Sequence, residues 1–440
     1  CQSYLEKFCN QVMYKNYVKK NPVVGEVRNV NGEKQNFLAN LGKIFIFNRI
    51  GSVFMMFILI WAARVLGPSE FGKIGLINNI ANFLVIPLVF GVNNAMYKFL
   101  PNGDPTENLQ LRTAAFAGNC LLSVFWLMIY FGLASGVEMH LHIPHRTWEL
   151  GIYATIAMNY AILCESFIRG QKQFDTISWL KLLGNVIFFL LFLLSIWLLS
   201  RYGVEIYFIP FFISQMVFGV FALLKSGFVR LPVPWAQVKK VYSYGFLTML
   251  NSVLTVILFS SDIFIINYFL SGVEVGIYSV YQGFAKGMFS ALFYEVFAVV
   301  FLPVIAKMDT GKVYRVVNQV AVWVVTGVTM AMAGINGVIV GLTGKNYGLD
   351  WRYIFLVAVG MGFYTLFQVY NSLLSMEGNK GACWSLLPIG VVLPFSLAGQ
   401  YYFTQFWGVT GAIIAVTLTY FLLVVVFKLV FHRTRLGFIS

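Results

Sequence analysis

The sequence predicts an all-α integral membrane protein, with about twelve transmembrane helices in two pseudo-symmetric six-helix lobes. Of its 440 residues 59% are hydrophobic and 11% charged, against roughly 25% charged in soluble domains, too few to cover a water-exposed surface. The apolar residues gather into twelve stretches near the ~20 residues a helix needs to cross about 30 Å of hydrocarbon. A short phrase also recurs: Leu66-Gly67-Pro68-Ser69-Glu70-Phe71-Gly72 returns 204 positions later as Leu270-Ser271-Gly272-Val273-Glu274-Val275-Gly276. Duplication at half the chain length implies two similar bundles with a cleft between them, an architecture common among transporters.

Residues 1–42 are polar and read as a cytoplasmic N-terminal segment without a cleavable signal peptide. The first two spans, 43–65 and 74–97, flank the first copy of the phrase, whose acidic residue two before a glycine suits a tight, wet turn. Spans 113–135, 148–168, 176–200 and 204–225 complete the N-terminal lobe, 43–226. Residues 227–241, with Pro232, Pro234, Lys239 and Lys240, read as a cytoplasmic inter-lobe loop. Spans 244–268 and 277–302 flank the second copy; 317–341, 352–374, 381–402 and 407–430 complete the C-terminal lobe, 242–430. Residues 431–440 form a cytoplasmic tail. Pro87, Pro210, Pro388 and Pro394 fall inside spans, where neighbouring helices satisfy the freed carbonyls.

The net charge of +14 is distributed by topology. Of 31 Lys and Arg residues, 23 lie in segments on the side of the N-terminus and 6 on the other, with Arg49 and Lys286 inside spans. That bias places both termini in the cytoplasm. Six helices per half then make the repeats parallel. The expected partner is the bilayer, with no nucleic acid. His140, His142 and His145 lie in one short wet loop and read as solvated, since a metal site needs converging ligands. Neither a disulfide framework nor a Gly-rich phosphate loop for ATP is present. No metal or resident cofactor is expected.

Charge at mid-bilayer is costly and normally faces a cavity or a partner. Arg49 lies beside Asn48, with Ser52 one turn on. The second span carries Asn78, Asn82 and Asn93, the last two about 20° apart on a regular helix. Asn251, Thr255 and Asp262 share a face of the seventh span, as Tyr278, Gln282 and Lys286 do in the eighth. The repeat offset equates Asn78 with Gln282 and Asn82 with Lys286, so matching faces of the two halves are expected to line a central cavity. Asp262 and Lys286 read either as a salt bridge or as a switch that protonation or a substrate anion breaks. Glu295 reads as a partner of Arg49 or as a protonated, hydrogen-bonded carboxyl.

The segment Ala63-Arg64-Val65-Leu66-Gly67-Pro68-Ser69-Glu70-Phe71-Gly72 resembles bacterial polysaccharide flippases of the O-antigen type. These belong to the multidrug/oligosaccharidyl-lipid/polysaccharide exporter superfamily. Phe90-Gly91-Val92-Asn93-Asn94, Ile168-Arg169-Gly170-Gln171-Lys172-Gln173-Phe174, Gly276-Ile277-Tyr278 and Gly408-Val409-Thr410-Gly411-Ala412 are similar to the same family, over roughly residues 37–430. The resemblance implies a V-shaped pair of lobes that moves a lipid-linked oligosaccharide between leaflets of the bacterial inner membrane, without being an enzyme. Other polysaccharide-assembly membrane proteins are candidate partners. Arg49 and Lys286 then become phosphate contacts and Asn48, Asn78, Asn82, Asn93, Asn251 and Gln282 polar lining. Asp262 and Glu295 become candidates for coupling to protons or Na+. A drug or cation antiporter of the same superfamily is the nearest rival; a membrane glycan polymerase or glycosyltransferase is the rival from another class.

Overall fold

The computed structural model describes residues 30–198, 203–226, 235–290, 310–375 and 378–438; within them, the side chains of 30–49, 102, 174, 247, 310, 312, 375, 378–383 and 433–438 are not described. These residues are helical almost throughout and contain no strand. The helices are α1 (30–66), α2 (68–89), α3 (Val92–Phe99), α4 (Pro105–Gly132), α5 (Ala134–Leu141), α6 (His145–Gly170), α7 (Phe174–Leu198), α8 (Glu205–Ser226), α9 (Trp235–Phe269) and α10 (Gly272–Tyr278). A π-helical turn, Ser279–Gly283, leads into α11 (Phe284–Phe289), followed by α12 (Thr310–Thr343), α13 (Trp351–Ser375), α14 (378–407) and α15 (409–438).

Among the described residues nine helical stretches are long and apolar enough to cross a membrane. Two of them, Ile50–Val89 (40 residues) and Trp384–His432 (49 residues), are about twice the ~20 residues one crossing needs. Each is divided by one glycine, Gly67 (φ 74°, ψ 174°) and Gly408 (φ 57°, ψ −137°). Side chains at those angles are strained, so glycine is what lets the chain break there. These stretches together hold eleven spans, and α10, the π turn and α11 begin the remaining one. Large apolar side chains such as Leu121, Trp197, Trp323 and Phe406 are exposed all around the bundle, a surface suited to lipid and not to water.

Several expected boundaries shift. The turn between the first two spans is a single-residue break at Gly67. In the second copy Ser271, equivalent to Gly67, caps α10 by a capping box: Glu274 Oε2 accepts from the Ser271 amide (2.9 Å) and hydroxyl (3.1 Å). The acidic residue of the phrase is thus a helix-capping group. The second span ends at Val89, because Phe90 and Gly91 are both left-handed (φ 49° and 68°) and α3 starts afresh. That break cancels the regular-helix arithmetic relating Asn82 to Asn93. The stretch expected as inter-lobe loop is helical from Trp235; 227–234 lie outside the described residues.

The two halves meet through their duplicated turns. A Cβ on Gly72 would strike the Gly272 carbonyl and come within 2.8 Å of the Gly276 amide; one on Gly276 would strike the Pro68 carbonyl. Pro68 and Gly272 are repeat equivalents, as are Gly72 and Gly276. The contacts are therefore reciprocal, the signature of a twofold relation. Their largest shared apolar core joins Ile58, Ile77 and Ile80 to Ile266, Val275 and Phe284.

Candidate functional site

Among the described residues Asp262 is the most completely enclosed charged side chain of the C-terminal lobe, 3% exposed. Its Oδ1 accepts from the Ile263 amide (2.9 Å); its Oδ2 accepts from the Tyr278 hydroxyl (2.5 Å) and Lys286 Nζ (2.6 Å). Lys286 Nζ also donates to the Phe259 carbonyl (2.8 Å). Residues eight apart stand about 80° apart on a regular α-helix. The π turn between Tyr278 and Lys286 winds more slowly and narrows that angle, so both reach one carboxylate. Such turns are frequent at functional sites. Gln282, inside the turn, is buried beside the Tyr420 hydroxyl.

A neutral polar chain runs alongside. Ser261 Oγ donates to Gln400 Oε1 (3.0 Å), Gln400 Nε2 to Ser396 Oγ (3.0 Å), and Thr419 Oγ1 to Ser396 Oγ (2.8 Å). All four residues are buried. In the absence of water each such group needs a partner, and here the partners come from α9, α14 and α15.

The N-terminal lobe holds a different arrangement. A hollow of about 450 Å³ lies among α1, α6, α7 and α8 and is closed on one side by α11 and α12. Ser52, Glu165, Lys181, Asn185 and Gln215 give it a polar part; Met55, Met158, Met288, Phe188 and Phe284 line the remainder. Glu165 Oε1 accepts from Lys181 Nζ (2.9 Å), on the neighbouring helix, and from Arg169 NH2 (2.7 Å), one turn further along its own. The Lys181 and Arg169 side chains are 36% and 42% exposed, Glu165 18%.

The lobes touch at both ends of α2. At the end carrying the duplicated turns, Tyr347 donates to the Ala63 carbonyl (2.9 Å), and the His142 ring stacks on Tyr268 with centroids 5.2 Å apart. At the opposite end Lys240 pairs with Glu107 (2.8 Å), and the Tyr242 hydroxyl donates to the Ala115 carbonyl (2.9 Å). Between these closures Asn82 and Asn251 are exposed and Thr255 is half-buried, although all three lie within membrane-spanning helices.

The structure thus brings Asp262 and Lys286 together as a salt bridge. Asn78 lies beside the buried Tyr207 hydroxyl. Asn93 is half-buried on α3, separated from Asn82 by the helix break. The N-lobe hollow is lined by none of Asn78, Asn82, Asn93, Asn251, Gln282 or Lys286. Arg49 and Asn48 fall on α1 one turn before Ser52, but their side chains lie outside the described residues, as does Glu295. Sequence reasoning did not single out Glu165, Lys181 and Arg169. The signal was present, since Glu165 and Lys181 fall inside the fourth and fifth predicted spans. Of the three loop histidines, His142 stacks on Tyr268 and His145 faces Glu149 (3.5 Å); among the described residues no group of His, Cys, Asp and Glu is placed to hold a metal ion.

A family model described as "Polysaccharide biosynthesis protein" matches residues 37–309, more than half of the chain. The chain belongs to that family. Its fold is similar to a solved structure described as "Lipid II flippase MurJ, inward closed conformation" (TM-score 0.64, 15% identity, covering 88% of this chain and 86% of that one). It is also similar to an inward-facing multidrug resistance MATE family transporter of the MOP superfamily (TM-score 0.63, 14% identity, 88% and 94% covered). A further MATE structure, in complex with MaD5, aligns with TM-score 0.59 at 14% identity over 90% of this chain and 94% of that one. Identities this low establish a common fold, that of the two-lobed exporters. No curated protein matches the chain in a sequence search.

Proposed function

We propose that this family member is a flippase. It moves a polyprenyl-pyrophosphate-linked oligosaccharide from the cytoplasmic to the outer leaflet of a bacterial inner membrane, supplying a surface polysaccharide such as an O-antigen or exopolysaccharide. The observation that carries the reading is the reciprocal glycine seam between two lobes, with Asn82 and Asn251 exposed and Thr255 half-buried within the spans beside it. Lobes joined through a narrow pivot and opposed by breakable contacts at either end are suited to rocking, and rocking exposes a central gap to each side alternately. A diphosphate and its sugars cannot cross bare hydrocarbon, where an isolated ion costs tens of kcal/mol in the Born limit; a polar gap carries them while the polyprenyl tail stays in lipid.

In this reading both termini are cytoplasmic, and 43–226 and 242–430 are the moving bodies. Arg49 and Lys286 receive the phosphates, and Asn48, Asn78, Asn82, Asn93, Asn251 and Gln282 are polar contacts. Lys286 becomes available when Asp262 is protonated or takes a Na+ ion in its place, which couples the cycle to that ion; Glu295 is a second coupling group. The test is transbilayer movement of a fluorescent lipid-linked oligosaccharide in proteoliposomes. The proposal requires protein-dependent movement that Lys286→Gln slows; wild-type protein that moves none refutes it. The Met- and Phe-lined hollow and the MATE-like fold favour a drug antiporter as the second reading, which instead requires uptake of a cationic dye against a proton or Na+ gradient. A glycan polymerase or glycosyltransferase would join purified glycans in solution.

A further inference from the structure

We infer that the hollow in the N-terminal lobe is a diphosphate-binding site, with Lys181 on its wall and Arg169 beside it, joined through Glu165, as its cations, and Glu165 as an internal stand-in for the ligand. The inference rests on the flippase reading and adds to it where the head group first docks. Two cations converge on one carboxylate, leaving the cluster one positive charge in excess. Both cations are more than a third exposed, so an anion can reach them without a helix moving. A diphosphate diester carries two negative charges, and once Glu165 takes up a proton and gives up its partners, the two cations balance those two charges. Arg and Lys with phosphate oxygens make strong charge-assisted hydrogen bonds.

Depth supports a membrane-borne ligand. Glu165 lies five residues before the end of α6, about 8 Å along the axis. Lys181 lies a similar distance inside the start of α7. The cluster therefore sits near the inner edge of the hydrocarbon, the level at which a lipid-linked diphosphate in the cytoplasmic leaflet presents its charges. The rest of the lining fits the rest of such a ligand. Asn185 and Gln215 line the hollow, and Asn185 packs against α1 at Gly51, where a Cβ would meet its amide nitrogen at 2.7 Å. Met55, Met158 and Phe188 offer apolar wall to the first isoprene units.

The test is binding of inorganic pyrophosphate, geranyl pyrophosphate and UDP to the full-length protein in detergent, by calorimetry. Wild type is expected to bind pyrophosphate weakly and geranyl pyrophosphate more tightly. Glu165→Gln is expected to tighten both by about fivefold or more, since the competing charge is gone while the shape is kept; Lys181→Met is expected to weaken both by at least that factor. A gain in affinity is not something a misfolded variant produces. Arg352→Gln, at the start of α13, serves as the unchanged reference. Absent binding to wild type, or affinities indifferent to both Glu165→Gln and Lys181→Met, overturns the inference; UDP binding more tightly than geranyl pyrophosphate overturns the lipid-linked assignment. Proteoliposomes that still move lipid-linked oligosaccharide after such a result leave the flippase reading standing, whereas inactive wild-type proteoliposomes remove that reading itself.

Discussion

The two lobes hold their charges in opposite ways. In the C-terminal lobe one enclosed carboxylate, Asp262, is saturated by an amide, a hydroxyl and an ammonium. In the N-terminal lobe one carboxylate, Glu165, is shared by two half-exposed cations at the edge of an open hollow. The first arrangement commits two of the three lysine donors and both carboxylate oxygens to protein partners, so a ligand gains the lysine fully only when a proton or cation takes its place on Asp262. The second leaves two cations with unused donors. Duplicated backbones therefore do not imply duplicated chemistry: the position equivalent to Asp262 in the first half is Ile58, buried and apolar.

The comparison breaks most readily at Lys286. Lys286→Met strands Asp262 as an uncompensated buried charge, and removing one partner of a buried pair costs about 3–5 kcal/mol. A large fall in the thermal midpoint of the purified protein is expected. Adding Asp262→Asn should return most of it, because the stranded charge is gone. If the single variant melts within a degree or two of wild type, Asp262 is not the sealed group described here, and the contrast between lobes fails.

A second way to sharpen the contrast is to wedge side chains into the seam between the lobes. Gly276→Val places side-chain atoms against the Pro68 carbonyl, and overpacking of this kind typically costs about 1–3 kcal/mol. Reciprocity predicts a similar penalty for Gly72→Val, against the Gly272 carbonyl. Matching losses in thermal stability are the expected outcome; a penalty at only one of the two sites would show that the seam is not twofold.

How much of this was legible in the sequence follows from which signals are local. Span number, the repeat and the special status of Asp262 with Lys286 were readable, because hydropathy, recurrence and the cost of intramembrane charge are properties of the chain itself. The seam was half-readable: the phrase was visible, but its glycines were read as turn formers, while two of them serve to let backbones touch. The face-sharing of Asn82 and Asn93 failed because two consecutive left-handed residues interrupt the helix, and Phe90 gives no sequence warning of that. Glu165 and Lys181 were passed over because a charge some five residues inside a span resembles a loop charge when span ends are uncertain. Their convergence depends on which helices are neighbours, which one sequence does not state.

The N-terminal cluster should respond more gently to substitution than the sealed pair. Glu165→Gln keeps a hydrogen-bond acceptor for Arg169 and Lys181 and releases two cations that are already partly hydrated, so the stability cost is expected within about 1 kcal/mol. The ratio of its thermal shift to that of Lys286→Met measures the contrast directly. Equal shifts would mean that both carboxylates are structural, and that the hollow has no spare charge to offer.

The smallest effect is expected where a charge pair has no burial behind it. In the loop before α13 Asp350 accepts from the Arg352 amide (2.8 Å), Nε (3.2 Å) and NH2 (2.9 Å). The Arg352 side chain holds the Asp350 carboxyl below the ordinary carboxylate range, against a slight upward push from burial. A carboxyl depressed on folding contributes stability at pH values above its unfolded value, about 4, and loses it as pH falls through the folded one. Arg352→Gln should raise the Asp350 carboxyl, so that protection at the start of α13 is lost at a higher pH than in wild type. Hydrogen exchange of residues 351–356 followed by mass spectrometry between neutral and acidic pH reads that shift, while the global thermal midpoint at pH 7 should barely move. A global loss comparable to that of Glu165→Gln would mean that pairing alone, without the enclosing helices, accounts for the difference between the two lobes.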